Sequence, residues 1–192
     1  MKQLNWATLG CGVIANELAQ ALSKEGRTLY SVANRTHEKA QAFAQKYGIS
    51  KVYDNIDDVF YDPDVDIIYI STPHNTHINY LRKALSNGKH VLCEKPFASN
   101  AWEVREMIAA SAKYDVTLME AMKPTLTPNF RSVRENLGRL GTIRRYFSCY
   151  CQYSSRYDKF KEGVVLNAFR PELSNGAMMD LSLIHISEPT RP

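Results

Sequence analysis

The sequence contains no run of about 18 apolar residues, so it offers no transmembrane span and no membrane partner is expected. Cysteine is scarce: Cys11, Cys93, Cys149 and Cys151 are scattered, without C-x-x-C spacing. Reduced thiols in a cytoplasmic protein fit that usage. Cys149 and Cys151 fall on one face of an alternating segment, but too few other ligands accompany them for zinc, and a buried pair of thiols is expected. Strong charge imbalance is also lacking. The net charge of +4 permits an anionic ligand without demanding nucleic acid. Arg139, Arg144, Arg145, Arg156, Lys159 and Lys161 lie among tyrosines, yet Asp158 and Glu162 interrupt them. A solvated or subunit-facing sheet is the expected reading, with no nucleic-acid partner. Internal repeats and low-complexity tracts are absent. A signal peptide is not expected, because strand and turn chemistry begin by Leu4.

What is present describes an ordinary globular chain, 44% hydrophobic and 23% charged. Its 192 residues suit one full domain plus a fragment, or two small domains. The stretch from Leu4 to Ala15 runs a short strand into Gly10-Cys11-Gly12 and then directly into a helix near Val13. The spacing is G-x-G-x-x-A, the form of a dinucleotide-binding turn. Gly10 would permit the tight turn, Gly12 would let backbone approach a pyrophosphate, and Ala15 would keep helix and strand close. The helix start at Val13, Ile14 and Ala15 offers free N–H groups and a positive dipole end. A turn that merely joins a strand to a helix is the alternative.

Hydrophobic periodicity then predicts strands at Thr28–Ala33, Val52–Tyr53, Asp66–Ser71, His90–Cys93 and Thr117–Glu120. Helices are predicted at His37–Tyr47, near Ile56–Tyr61, at His77–Asn87 and after Asn100. Asn100 with Glu103 forms a capping-box pattern, and Val104, Met107, Ile108 and Ser111 follow one face. Alternating strands and helices give an α/β fold, a doubly wound parallel sheet. In such sheets ligands sit beyond the carboxyl ends of the strands, here Gly10, Asn34, Ser71, Glu94 and Glu120. The composition changes after Ala121. A helix at about Asn129–Leu137 and a long alternating strand, Thr142–Tyr153, read as the beginning of an α+β open-sheet second domain. The predicted domains are therefore 1–121 and 122–181.

Three further stretches join the glycine turn: Ser71-Thr-Pro-His-Asn-Thr-His77, Gly88-Lys-His-Val-Leu-Cys-Glu-Lys-Pro96 and Met119-Glu-Ala121. In that order the chain resembles the Gfo/Idh/MocA family, the glucose–fructose oxidoreductase and inositol dehydrogenase relatives, over roughly residues 4–181. The segment from Glu120 to Tyr157 is similar to the dihydrodiol and NADP-linked xylose dehydrogenase branch. The resemblance implies a Rossmann domain and nicotinamide-dependent hydride transfer on a sugar, polyol or dihydrodiol-type alcohol. It points to Lys95 as the group near the substrate hydroxyl. A lysine beside a cationic nicotinamide has its pKa lowered toward the working range, and as a cation it polarises a carbonyl. Glu94 resembles the residue that contacts the cofactor ribose. Ser71, Thr72, Pro73, Asn75, His77 and Glu120 occupy the family's cofactor-side positions, although His77 could equally make a structural hydrogen bond.

Cofactor choice turns on Val32-Ala-Asn-Arg-Thr36, where the acid that usually binds the ribose 2′-hydroxyl of NAD is missing. Arg35 could pair with an adenosine 2′-phosphate, with Asn34 and Thr36 hydrogen-bonding it, so NADP is expected over NAD. Gly176-Ala-Met-Met-Asp180 resembles the family's second-domain helix, whose aspartate points to the active site. Ser182 and Ile184 then depart from its pattern, and His185 falls about 100° round the helix from the expected place. Residues 182–192 read as translated adapter sequence, which implies a C-terminally truncated chain. The resemblance, through the family's open sheet, implies a homo-oligomer for the full-length protein. A non-catalytic dinucleotide-binding module or inactive fragment is the alternative function.

Overall fold

The computed structural model describes residues 3–147, 149 and 153–176. These divide into two compact units that part between Ala121 and Met122. In the first unit, strands β1 (Trp6–Leu9), β2 (Ser31–Ala33), β3 (Lys51–Val52), β4 (Ile67–Ile70), β5 (His90–Cys93) and β6 (Leu118–Glu120) alternate with helices. These are α1 (Val13–Lys24), α2 (His37–Tyr47), α3 (Asp58–Tyr61), α4 (His74–Ser86) and α5 (Ala101–Lys113). The six strands form one sheet in the order β3-β2-β1-β4-β5-β6, every pair parallel. This is the doubly wound Rossmann order, with its switch point between β1 and β4.

Both sheet faces are covered, which is why the strands read as apolar runs. On one face Ala7, Leu9, Ile68, Ile70 and Val91 meet Phe60, Leu81, Leu85 and Met107. On the other, Val32 and Tyr69 meet Ala15, Ala19, Phe43 and Ala44. The amino-terminal edge is tied by polar bonds. Lys89 Nζ donates to the carbonyls of Asp62 (2.6 Å) and Val65 (2.9 Å). Asp62 accepts from Lys51 (2.7 Å) and from the Tyr53 hydroxyl.

Some predicted boundaries move. Helix α4 begins at His74, not His77, because Pro73 caps it and its carbonyl accepts from Thr76 N (2.9 Å) and Oγ1 (2.6 Å). On α5 Met107 is buried and Ala110 packs against the core, while Ile108 is exposed. Ile108 lies about 100° round from Met107, past the margin of the buried stripe. The cap at Asn100 forms as expected, its Oδ1 accepting from Glu103 N (3.0 Å). Glu103 accepts in return from Ser99 N (2.8 Å), one residue earlier than the usual box.

The second unit contains α6 (Pro128–Asn136) and α7 (Tyr157–Lys161) with short 3₁₀ turns. Aromatic contacts run from Tyr153 through Tyr157 and Phe160 to Phe169, with ring centroids 5.2–6.3 Å apart. The predicted strand at Thr142–Tyr153 is not formed among the described residues, and Phe147 is 82% exposed. Alternation marks a possible face, but a strand exists only when a neighbour supplies its ladder, and no described segment pairs with this one. Cys149 is accordingly exposed rather than buried, and Cys151 lies outside the described residues. No helix among the described residues is long and apolar enough to cross a membrane.

Candidate functional site

Because every strand is parallel, all carboxyl ends share one rim. Ala33, Leu9, Ile70, Cys93 and Glu120 form its last rung, each paired with the next. The following residues are locked sideways by backbone bonds. Gly10 N donates to Ala33 O (2.9 Å), Ser71 N to Leu9 O (2.9 Å), Glu94 N to Ile70 O (2.9 Å) and Ala121 N to Cys93 O (2.8 Å). The rim is thus a rigid row of loop origins.

At the switch point Gly10 has φ +106°, and a Cβ there would lie 2.8 Å from Ser71 O. Only glycine fits both the conformation and the space. Gly12 is different: it caps α1 with an ordinary φ of −73°, and a Cβ built on it would meet no atom within 4 Å. No side chain caps the α1 N-terminus. Ala15 is fully buried under the helix, as the third small position requires, whereas Val13 is 76% exposed and Ile14 is also exposed. Asn16, which the motif does not reveal, braces the turn. Its Nδ2 donates to Gly12 O (2.9 Å), and its Oδ1 accepts from Lys46 (2.8 Å) and Tyr47 (2.7 Å) on α2. Burial pushes the Cys11 thiol up to about 11, so it stays protonated near neutral pH.

At the end of β2, Asn34 Nδ2 donates to Thr36 O (2.9 Å), folding the loop and leaving Arg35 exposed. Beyond β4, Ser71 donates to Leu9 O (3.3 Å), Thr72 and Thr76 share a hydroxyl bond (2.8 Å), and Pro73 and Asn75 are exposed. His77 is not on that surface. Its ring is fully buried, with Nε2 2.8 Å from Thr72 O and Nδ1 3.0 Å from Pro96 O. Burial lowers its pKa, opposed by those two carbonyls. The ring therefore sits between the two loops and does not reach solvent.

Beyond β5, Glu94 accepts from the buried Tyr69 hydroxyl, a partner the sequence pattern does not disclose. Burial and then Glu94 raise the Tyr69 phenol far above its ordinary value. Lys95 is partly exposed and precedes a cis Pro96. Glu120 Oε1 accepts from Phe97 N (3.1 Å). Burial raises the Glu120 carboxyl, and the Glu94 and Lys95 charges also act on it, one raising and one lowering it. Glu94 and Lys95 follow Cys93, which pairs with Glu120 across the sheet, so the three share one end of the rim, while Asp180 lies outside the described residues. A groove of about 490 Å³ between α4 and α5, lined by Arg82, Glu106, Met107 and Tyr114, is a separate feature. It includes Ser86 and Lys113, the last residues of α4 and α5, and so belongs to the opposite edge of the sheet.

This rim presents an open glycine turn together with a lysine and two carboxylates, and known proteins share its sequence. The chain is 42% identical over 181 residues to scyllo-inositol 2-dehydrogenase (NADP(+)) IolU of Bacillus subtilis (strain 168), covering 94% of this chain and 55% of that one. It is 33% identical over 181 residues to trans-1,2-dihydrobenzene-1,2-diol dehydrogenase of Xenopus tropicalis, covering 92% and 52%. It spans about half the length of these curated relatives. The crystal structure of KijD10, a 3-ketoreductase from Actinomadura kijaniata in complex with NADP and TDP-benzene, matches at a TM-score of 0.67 and 26% identity. That match covers 72% of this chain and 43% of KijD10. Residues 4–122 match the family described as an oxidoreductase family with an NAD-binding Rossmann fold. Order of motifs, strand order and relatives agree, and the chain belongs to the Gfo/Idh/MocA oxidoreductase family.

Proposed function

We propose that this chain carries the cofactor site and the proton-transfer lysine of an NADP-preferring dehydrogenase acting on the CH–OH group of a sugar, polyol or dihydrodiol. One observation carries the reading: an uncapped helix start with an open glycine cradle shares a rim with Lys95. A dinucleotide pyrophosphate fits that cradle. At Gly12 the space a Cβ would take is open, and the first N–H groups of α1 have no side-chain cap. Gly10, Gly12, Val13, Ile14 and Ala15 would hold the pyrophosphate. Asn34, Arg35 and Thr36 would hold a 2′-phosphate, with no acid at the end of β2 to repel it. Ser71, Thr72, Pro73 and Asn75 would line the cofactor, and Glu94, oriented by Tyr69, would meet a ribose.

The nicotinamide ring supplies the hydride acceptor or donor. Lys95 Nζ takes the proton from the substrate hydroxyl during oxidation and returns it to the carbonyl oxygen during reduction. Asp180 belongs to the same proposal as a substrate-side helper. So do a homo-oligomer of the whole protein and a cytoplasmic setting. The relative named for NADP(+) and the ketoreductase solved with NADP support the cofactor choice.

Titrating the chain with NADPH and NADH by nicotinamide fluorescence, then assaying alcohol-dependent NADP reduction, tests this. NADPH binding tighter than NADH with turnover supports the enzyme. Binding without turnover favours a dinucleotide-binding module, and tighter NADH binding overturns the cofactor assignment.

A further inference from the structure

We propose that the peptide group joining Pro96 to Phe97 is a clamp point that fixes Lys95, and that His77 and Glu120 are the positioning residues gripping it from opposite ends. The inference rests on reading Lys95 as the proton-transfer group. The carbonyl of Pro96 and the N–H of Phe97 belong to one peptide plane. His77 Nδ1 lies 3.0 Å from that carbonyl, and Glu120 Oε1 accepts from that N–H at 3.1 Å. One such bond would let the plane swing; bonds at both ends stop its rotation. On the other side of Lys95, Glu94 is held by its own backbone bond to Ile70 O (2.9 Å) and by the Tyr69 hydroxyl on its side chain. The backbone is therefore anchored on both sides of Lys95.

The two grips come from different elements. His77 is on α4, fully buried, and its second nitrogen faces Thr72 O at 2.8 Å. A neutral ring carries a single N–H, and the clamp takes it on Nδ1, donating to Pro96 O. Glu120 is the last residue of β6 and is partly buried. Either protonation state of Glu120 leaves an oxygen to accept from Phe97, so the clamp does not depend on its titration. Pro96 is buried, and Phe97 packs against the core, which removes the remaining play. Both residues thus act through Lys95, and neither is a cofactor ligand, although both belong to motifs that suggest one.

Amide hydrogen exchange of Phe97 by two-dimensional NMR tests the clamp. Glu120→Ala and His77→Ala are each expected to speed Phe97 exchange by about tenfold or more. Glu120→Gln, which keeps an oxygen acceptor, is expected to stay within about threefold of the wild type and so rescue the loss. The NADPH Kd of Glu120→Gln is expected to remain within about twofold. Unchanged Phe97 exchange in Glu120→Ala would overturn the clamp. A large rise in NADPH Kd in Glu120→Gln with Phe97 still protected would make Glu120 a ligand, and would overturn it too. If Glu120→Ala does not fold, the His77→Ala and His77→Phe chains, which remove the other grip, carry the Phe97 readout, and unchanged exchange in them would overturn the clamp. A Lys95→Met chain that kept full turnover with Phe97 still protected would instead sink the role of Lys95, so the two failures are distinguishable.

Discussion

Alanine placed at Gly10 and at Gly12 separates the fold from the site. At Gly10 the new methyl meets Ser71 O at 2.8 Å and Ser71 Oγ at 2.9 Å, on a backbone whose φ is +106°. Holding a non-glycine residue in such a region costs about 1–3 kcal/mol. Displacing packed neighbours adds about 1–3 kcal/mol, because Ser71 is itself bonded to Leu9 O through N and Oγ and cannot simply retreat. The sum is roughly 2–6 kcal/mol, which for a unit of this size lowers Tm by the order of 10 °C or more. At Gly12 the backbone is already one any residue adopts, and the methyl enters open space. Alanine for glycine at a helix N-cap costs only about 0.5 kcal/mol, or a few degrees at most. The same methyl occupies the approach of a pyrophosphate, so NADPH affinity is expected to fall by about tenfold or more, roughly 1.4 kcal/mol. Thermal melts with fluorescence titration of both variants check the pair. If Gly12→Ala bound NADPH like the wild type, the turn would not be the pyrophosphate site. If Gly10→Ala melted like the wild type, the close approach to Ser71 would be wrong.

Arg35→Asp is expected to weaken NADPH binding by about tenfold or more and to reverse the preference over NADH, through loss of a charge-assisted contact and gain of repulsion. Equal affinities in the parent and variant would remove Arg35 from the site. Leu81→Ala on α4, at a fully buried position, is expected to cost about 2–5 kcal/mol by chemical denaturation while leaving the rim residues untouched. Burial holds His77 below its ordinary 6.5, so the unfolded chain takes up this proton first as pH falls. Its contribution is therefore intact above about pH 6.5 and erodes below it. Tm measured against pH is expected to decline less steeply below 6.5 in His77→Asn than in the wild type, and equal slopes would contradict a ring held neutral by burial.

The parallel sheet was legible because its strands are short apolar runs separated by amphipathic helices, and burial on both faces is what such runs report. Gly10 and Gly12 were legible as a pair, but their unequal roles were not. Spacing records two glycines, and only coordinates show that one would strike Ser71 and the other would meet nothing. His77 was ambiguous for a physical reason. A histidine at the head of a helix can face solvent or core, and the choice was made by Pro73, which starts α4 three residues earlier and turns position 77 inward. Asn16, Tyr69 and Phe97 were invisible as site residues because they act through carbonyls, carboxylates and amides of other segments, which leave no periodic trace. Among the described residues the alternating segment from Thr142 forms no strand, because β structure is a property of a pair, and local alternation cannot say whether a partner is at hand.

The Pro96–Phe97 clamp gives a reason why three motifs so far apart in the chain should occur together. Serine-threonine-proline at 71–73 starts α4 where His77, four residues on, turns into the core. Glutamate-lysine-proline at 94–96 supplies the amine proposed for proton transfer and the carbonyl that His77 faces. Methionine-glutamate at 119–120 brings a carboxylate from the outermost strand to the next atom but one of the same peptide. Each motif taken singly reads as a cofactor contact. Together, around one peptide plane, they read as a mount for Lys95, and the chemistry then depends on residues that need never touch cofactor or substrate. A change at His77 or Glu120 should accordingly act on the rate of proton transfer before it acts on binding, whereas a change at Gly12 should act on binding first.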